Sequence, residues 1–170
     1  MTRFQSVWRL ATAALIGIGL LVTAFAAAAE GDDALSLPRF VSVKSDRANV
    51  RTGPDRRRYP IAWVFVKKGV PVEITGEYED WRKIKDLDGA EGWMHESLLS
   101  PDRYAIVTGG QRAVYLQPDS GSRTVYFAES GVTGRLDRCL KDWCELTVDG
   151  NTGWIPKTQI WGARADETFE

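Results

Sequence analysis

Few residues in this chain are of types that could do chemistry. The single histidine, His95, stands in Trp93-Met94-His95-Glu96-Ser97-Leu98, where a base, a carboxylate and a hydroxyl follow one another. Neighbours on a strand point to opposite faces, so these three are not expected to align as nucleophile, base and orienter, and no catalytic residue is expected. The two cysteines, Cys139 and Cys144, flank Leu140-Lys141-Asp142-Trp143. Across a compact turn such a pair becomes cross-strand neighbours, and the spacing predicts a disulfide that pins a hairpin. It is not the Cys-x-x-Cys spacing of a redox pair. With one His and two Cys in 170 residues there is no donor set for a metal cage, and neither a metal nor a cofactor is expected.

The binding candidates lie elsewhere. Arg56-Arg57-Arg58 forms a basic run beside Tyr59 and Trp63, with Arg51 before it and Lys67-Lys68 after it. Guanidinium groups grip carboxylates bidentately and aromatic faces hold sugars or extended peptides, so Tyr59, Trp63, Arg56, Arg57 and Arg58 are the expected ligand contacts. The competing reading is a solvated loop tip. Trp81 and Trp143, each opening an alternating strand at the same place in the sequence, are expected to be structural.

These side chains need a frame, and the sequence repeats to supply one. Asn49-Val50-Arg51-Thr52-Gly53-Pro54-Asp55 answers Ala113-Val114-Tyr115-Leu116-Gln117-Pro118-Asp119; Asp80-Trp81 answers Asp142-Trp143, and Gly92-Trp93 answers Gly153-Trp154. The landmarks keep their order at offsets of 61 to 64 residues, which makes two copies of one unit. Within each copy the apolar period is that of strands, as in Ile61-Ala62-Trp63-Val64-Phe65 and Thr124-Val125-Tyr126-Phe127. Asp88-Gly89 and Asp149-Gly150 are placed for tight hairpins. No segment after Glu30 carries a helical apolar stripe. The fold class is therefore all-β, two small barrels in tandem.

The string Asn49-Val50-Arg51-Thr52-Gly53-Pro54, followed by a glycine turn, an Asp-Trp81 strand and Gly92-Trp93-Met94, resembles the bacterial SH3-like (Src-homology-3-like) family. The second copy keeps only Val114, Pro118 and Asp119 of that string. The resemblance implies a pair of five-to-six-stranded barrels over 39–100 and 101–162. It further implies a non-enzymatic module of the cell envelope that binds peptidoglycan or a partner peptide. The alternative is a structural piece that docks on another envelope protein without a small ligand.

The first 29 residues read as an address. Leu10 to Ala29 is uncharged, follows Arg3 and Arg9, and ends in four alanines, so an export signal cleaved between Ala29 and Glu30 is expected. The alternative is an uncleaved membrane anchor. Once the signal is cut, no stable membrane span remains, and the protein is expected to be periplasmic or secreted. Residues 30–38 read as a linker and 163–170, polar and acidic, as a flexible tail. Lys+Arg 22 against Asp+Glu 23 leaves no broad positive field, so nucleic acid is excluded as a partner. Charge is uneven between the copies, with twelve basic and ten acidic residues in 39–100 but eight and ten in 101–170.

Overall fold

The computed structural model describes residues 36–170. The expected export signal, its cleavage point at Ala29 and Glu30, and most of the linker lie outside the described residues. Among the described residues no helix is long and apolar enough to cross a membrane.

The fold is all-β. The first copy contributes β1 (Arg39–Val43), β2 (Ala48–Arg51), β3 (Ile61–Phe65), β4 (Pro71–Tyr78), β5 (Trp81–Lys85), β6 (Glu91–His95) and the two-residue β7 (Leu99–Ser100). The second contributes β8 (Tyr104–Val107), β9 (Arg112–Tyr115), β10 (Thr124–Ala128), β11 (Thr133–Cys139), β12 (Trp143–Val148), β13 (Asn151–Pro156) and β14 (Ile160–Trp161). Each copy is a seven-stranded sheet, ordered β3-β2-β6-β5-β4-β1-β7 and β10-β9-β13-β12-β11-β8-β14. The strand count exceeds the expected five to six because two-residue strands after a single 3-10 turn, Glu96–Leu98 or Lys157–Gln159, close each unit.

Alternation places the cores. Val72 and Ile74 on β4, Ile84 on β5 and Met94 on β6 turn inward with Val43, Ala48 and Val50. In the second copy Val114, Leu136, Leu146 and Ile155 take the corresponding places, with Cys139 and Cys144 in the same core. Matching bulges interrupt the β4–β5 pairing between Ile74 and Gly76 and the β11–β12 pairing between Leu136 and Arg138. An extra residue there bends a long strand, which lets a short sheet wrap round one core.

The two hairpins expected at Asp-Gly differ. Asp149 and Gly150 both adopt positive φ (48° and 81°), the two-residue turn that suits strand twist. In the first copy only Gly89 does so, and the Asp86 carboxylate holds a longer loop by accepting the N–H groups of Asp88 and Ala90. Cys139 and Cys144 face each other across β11 and β12 and form the expected disulfide, with Cα atoms 4.1 Å apart and the turn closed by Leu140 N–H to Trp143 C=O at 2.7 Å.

The last eight residues correct the expectation of a flexible tail. Phe169 exchanges both backbone hydrogen bonds with Cys139, extending the sheet past the disulfide. Arg103 clasps the Glu167 carboxylate with both terminal nitrogens and lies 4.7 Å from the Phe169 ring centre. Lys157, buried, donates to the carbonyls of Ala165 and Glu167. Composition reads this segment as polar, but its carbonyls accept from Lys157, and its Glu167 carboxylate pairs with Arg103, which also donates to the Gly162 carbonyl. The barrels touch through Phe40 edge-on to Trp161 at 5.0 Å and through Arg164, which donates to the Pro38 carbonyl.

Candidate functional site

The loop from Thr52 to Pro60 forms one wall of a cleft of about 640 Å³ in the first barrel. Its shape follows from three local devices. Thr52 N–H donates to Pro60 C=O at 3.1 Å and closes the base. Gly53 is buried beneath the Tyr59 ring, where an added Cβ would sit 2.5 Å from Cδ1, so only glycine fits. Asp55 turns back on the loop and its Oδ1 accepts the N–H groups of Arg57 and Arg58 at 2.6 and 2.8 Å. Those N–H groups hold the Asp55 carboxyl below its ordinary value. The acid thus presents the basic run, and Arg56 and Arg57 line the cleft. No carboxylate of the described residues forms an ion pair with either. Arg51 ties the loop to β2 by donating to the Tyr59 carbonyl at 2.8 Å.

The opposite wall comes from the β4–β5 turn and the end of β6. Glu79 adopts a positive φ of 49° in that turn, and Asp80 C=O accepts Glu96 N–H at 2.8 Å, which fixes the turn against the 3-10 segment. Trp81 and His95 are register partners and meet edge to face, centroids 5.4 Å apart. Both line the cleft with Asn49, Glu79 and Ser97.

The geometry places several of the expected contacts elsewhere. Trp63 lies outside the cleft lining. It pairs with Val50 across β2 and β3, packs on the core edge-on to Phe65, and buries its indole N–H without an acceptor among the described residues. Tyr59, 41% exposed, is a clamp on Gly53 rather than part of the cleft lining, and Arg58 lies outside that lining too. Trp81, expected to be structural, is the aromatic face of the cleft.

His95 and Ser97, two residues apart, also meet, with Glu96 between them turned away. The strand ends at His95 and the 3-10 turn swings Ser97 back, so that Ser97 N–H caps onto His95 Nδ1 at 3.3 Å with Ser97 Oγ 2.9 Å from the same nitrogen. The adjoining Glu96 is taken by Arg82. No carboxylate of the described residues is bonded to the His95 ring.

The second copy fills the equivalent space. Tyr115 stands where the first copy has Arg51, and packs edge to face on Trp143 at 5.7 Å. Pro156 replaces His95 as the cross-strand partner of that tryptophan. The duplicated tryptophans therefore have different roles through their neighbours and not through strand parity: Ile84 and Leu146 both face the core, so Trp81 and Trp143, each three residues earlier, both face out.

The chain belongs to the bacterial SH3 domain family, whose sequence profile matches residues 44–101 and 109–162. Among solved structures it is similar to NlpC2 from Trichomonas vaginalis (11% identity, TM-score 0.34, 74% of this chain and 48% of that one). It is also similar to an NlpC/P60 family protein from Bacillus cereus ATCC 10987 (13%, 0.33, 74% and 57%). A third is NlpC1 from Trichomonas vaginalis (12%, 0.34, 72% and 45%). The chain spans about half the length of these proteins. No curated protein matches it.

Proposed function

We propose that this chain is an exported, non-enzymatic binding module of the cell envelope, and that the cleft of the first barrel holds a peptide bearing carboxylates, such as a peptidoglycan stem. The observation that carries the reading is the joint placement of Arg56 and Arg57, neither within salt-bridge distance of a carboxylate of the described residues, with the Trp81 face in one cleft. Guanidinium groups read carboxylates in a fixed fork geometry, and an indole face holds an extended backbone or a sugar ring. Glu79 on the opposite wall offers a partner for an amino group, so the cleft suits a ligand with both charges.

A holding role is favoured over a cutting one. The Ser97 hydroxyl sits against His95 Nδ1, but no carboxylate of the described residues bonds to that ring to orient it as the base of a triad. Export is supported by the leader-like first 29 residues together with the Cys139–Cys144 disulfide, which fits an oxidising compartment.

The test is co-sedimentation of the purified chain with peptidoglycan sacculi. Trp81→Ala, and Arg56→Ala with Arg57→Ala, are expected to lose binding while near-UV circular dichroism stays native. Because exposed charges are screened, wild-type binding should also weaken as salt is raised. Wild-type retention by both variants would overturn the cleft as the site.

A further inference from the structure

One nitrogen of the His95 ring is engaged and the other is not. Ser97 N–H donates to Nδ1 at 3.3 Å as the cap of the 3-10 turn, and Ser97 Oγ lies 2.9 Å from the same atom. A ring nitrogen that accepts an N–H presents a lone pair there and carries no proton, so the neutral imidazole bears its proton on Nε2. The turn itself sets this tautomer, because a proton on Nδ1 would point at the Ser97 N–H. Trp81 holds the plane of the ring from the side, edge to face with centroids 5.4 Å apart. Two independent contacts thus orient the imidazole.

Nε2 makes no hydrogen bond with the described residues, yet it is not sealed from solvent as the Trp63 indole nitrogen is. His95 lines the cleft together with Trp81, Arg56 and Arg57. Its Nε2–H is therefore an oriented, neutral donor in a site whose arginine donors are charged. Guanidinium forks match carboxylates. A single neutral N–H beside an indole face matches a backbone carbonyl, a group that is costly to enclose without a donor. The second barrel has no equivalent, since Pro156 takes the place of His95 and offers no N–H.

We propose, resting on the reading of this cleft as the binding site, that His95 is a specificity residue: its Nε2–H donates to a backbone carbonyl of a bound peptide whose carboxylate Arg56 and Arg57 hold. The cleft thereby selects a peptide over a bare glycan.

Because the chain has one histidine, its ring gives a single set of signals in a long-range proton–nitrogen correlation spectrum. Recorded on the full chain with the ring neutral, the spectrum is expected to show a protonated Nε2 and an unprotonated Nδ1. A synthetic stem tripeptide should move the Nε2 resonance, and chitotetraose should not. Two variants separate the donor from the turn cap. In His95→Asn the side-chain oxygen still accepts the Ser97 N–H, as asparagine does at caps and turns, but the donor at Nε2 is gone, and tripeptide affinity should fall about tenfold. His95→Gln puts an amide N–H near the Nε2 position and should recover most of that affinity. Thermal unfolding checks that each variant is folded. Trp81→Ala reports on the cleft itself and should lose the tripeptide. A proton on Nδ1 in the free chain overturns the role of His95. So does wild-type affinity in His95→Asn where Trp81→Ala has lost it, or an Nε2 resonance that answers chitotetraose and not the tripeptide. A wild type that does not bind the tripeptide, or a Trp81→Ala that retains it, removes the cleft as the site and the role of His95 with it.

Discussion

Gly92 lies where β6 crosses the core, and the space its missing side chain would fill is taken. An added Cβ would collide with Val50 Cγ1, and would sit 3.0 Å from Trp63 Cη2 and 3.1 Å from the Arg51 carbonyl. Overpacking a fixed core costs about 1–3 kcal/mol, and alanine recovers roughly 0.5–1 kcal/mol of the glycine's excess flexibility, so Gly92→Ala should destabilise by about 1.5 kcal/mol. Val50 is fully buried, and Val50→Ala should cost about 2.5 kcal/mol through lost transfer energy and the cavity left behind. Independent effects would sum to about 4 kcal/mol. The double variant should cost only about 2 kcal/mol, because the new methyl enters the space the old one vacates. Equilibrium urea unfolding, followed by tryptophan fluorescence and far-UV circular dichroism, measures all four proteins, and the Trp63 ring touches the altered site directly. A double variant within about 0.5 kcal/mol of the sum would refute the claim that these two positions share one volume.

Three further outcomes follow from the same geometry. Trp63→Ala should lower stability by about 2–3 kcal/mol yet leave sacculus binding of the folded fraction unchanged, since the ring packs on the core; co-sedimentation below its unfolding temperature checks this. Burial alone would raise the Glu167 carboxyl, but Arg103 and the Arg164 N–H outweigh it and hold it below the usual value. Its contribution is thus present above the unfolded-state pKa and fades as pH falls through the lower folded one, so exchange of the Phe169 amide should accelerate in acid, and Arg103→Ala should remove that pH dependence. Burial raises the Tyr126 phenol to about 12. Its stabilising share is complete below the ordinary tyrosine value and lost as pH climbs through the folded one, so alkaline titration should show one late-ionising tyrosine that becomes ordinary on unfolding.

Much of this architecture is legible in the amino-acid order. The Val50 and Val114 strings, the paired Gly-Trp steps and the two cysteines are local signals, and each fixes a strand, a close approach or a hairpin without knowledge of distant contacts. The site is only partly legible. Arg56 and Arg57 stand out because like charges cluster in sequence, whereas Trp63 misleads because nearness along the chain is not a shared face. Its pairing with Val50, which faces the core, leaves it half-buried against that core. His95 and Ser97 were legible as a same-face pair two residues apart, but the 3-10 turn that brings the Ser97 N–H onto the His95 ring was not. The docking of 163–170 was hidden for a different reason, since its partners Arg103 and Cys139 are distant in the chain, and only the completed barrel brings them beside Lys157 and the segment.

That last segment has a practical consequence for anyone dissecting the chain. The family match stops at 162, and a recombinant fragment trimmed there would retain the buried Lys157 ammonium while deleting the carbonyls of Ala165 and Glu167 that accept its hydrogen bonds. Arg103 would lose its counterion in the same cut. The second barrel therefore draws on acceptors and a strand bridge several residues beyond the point where the family match stops.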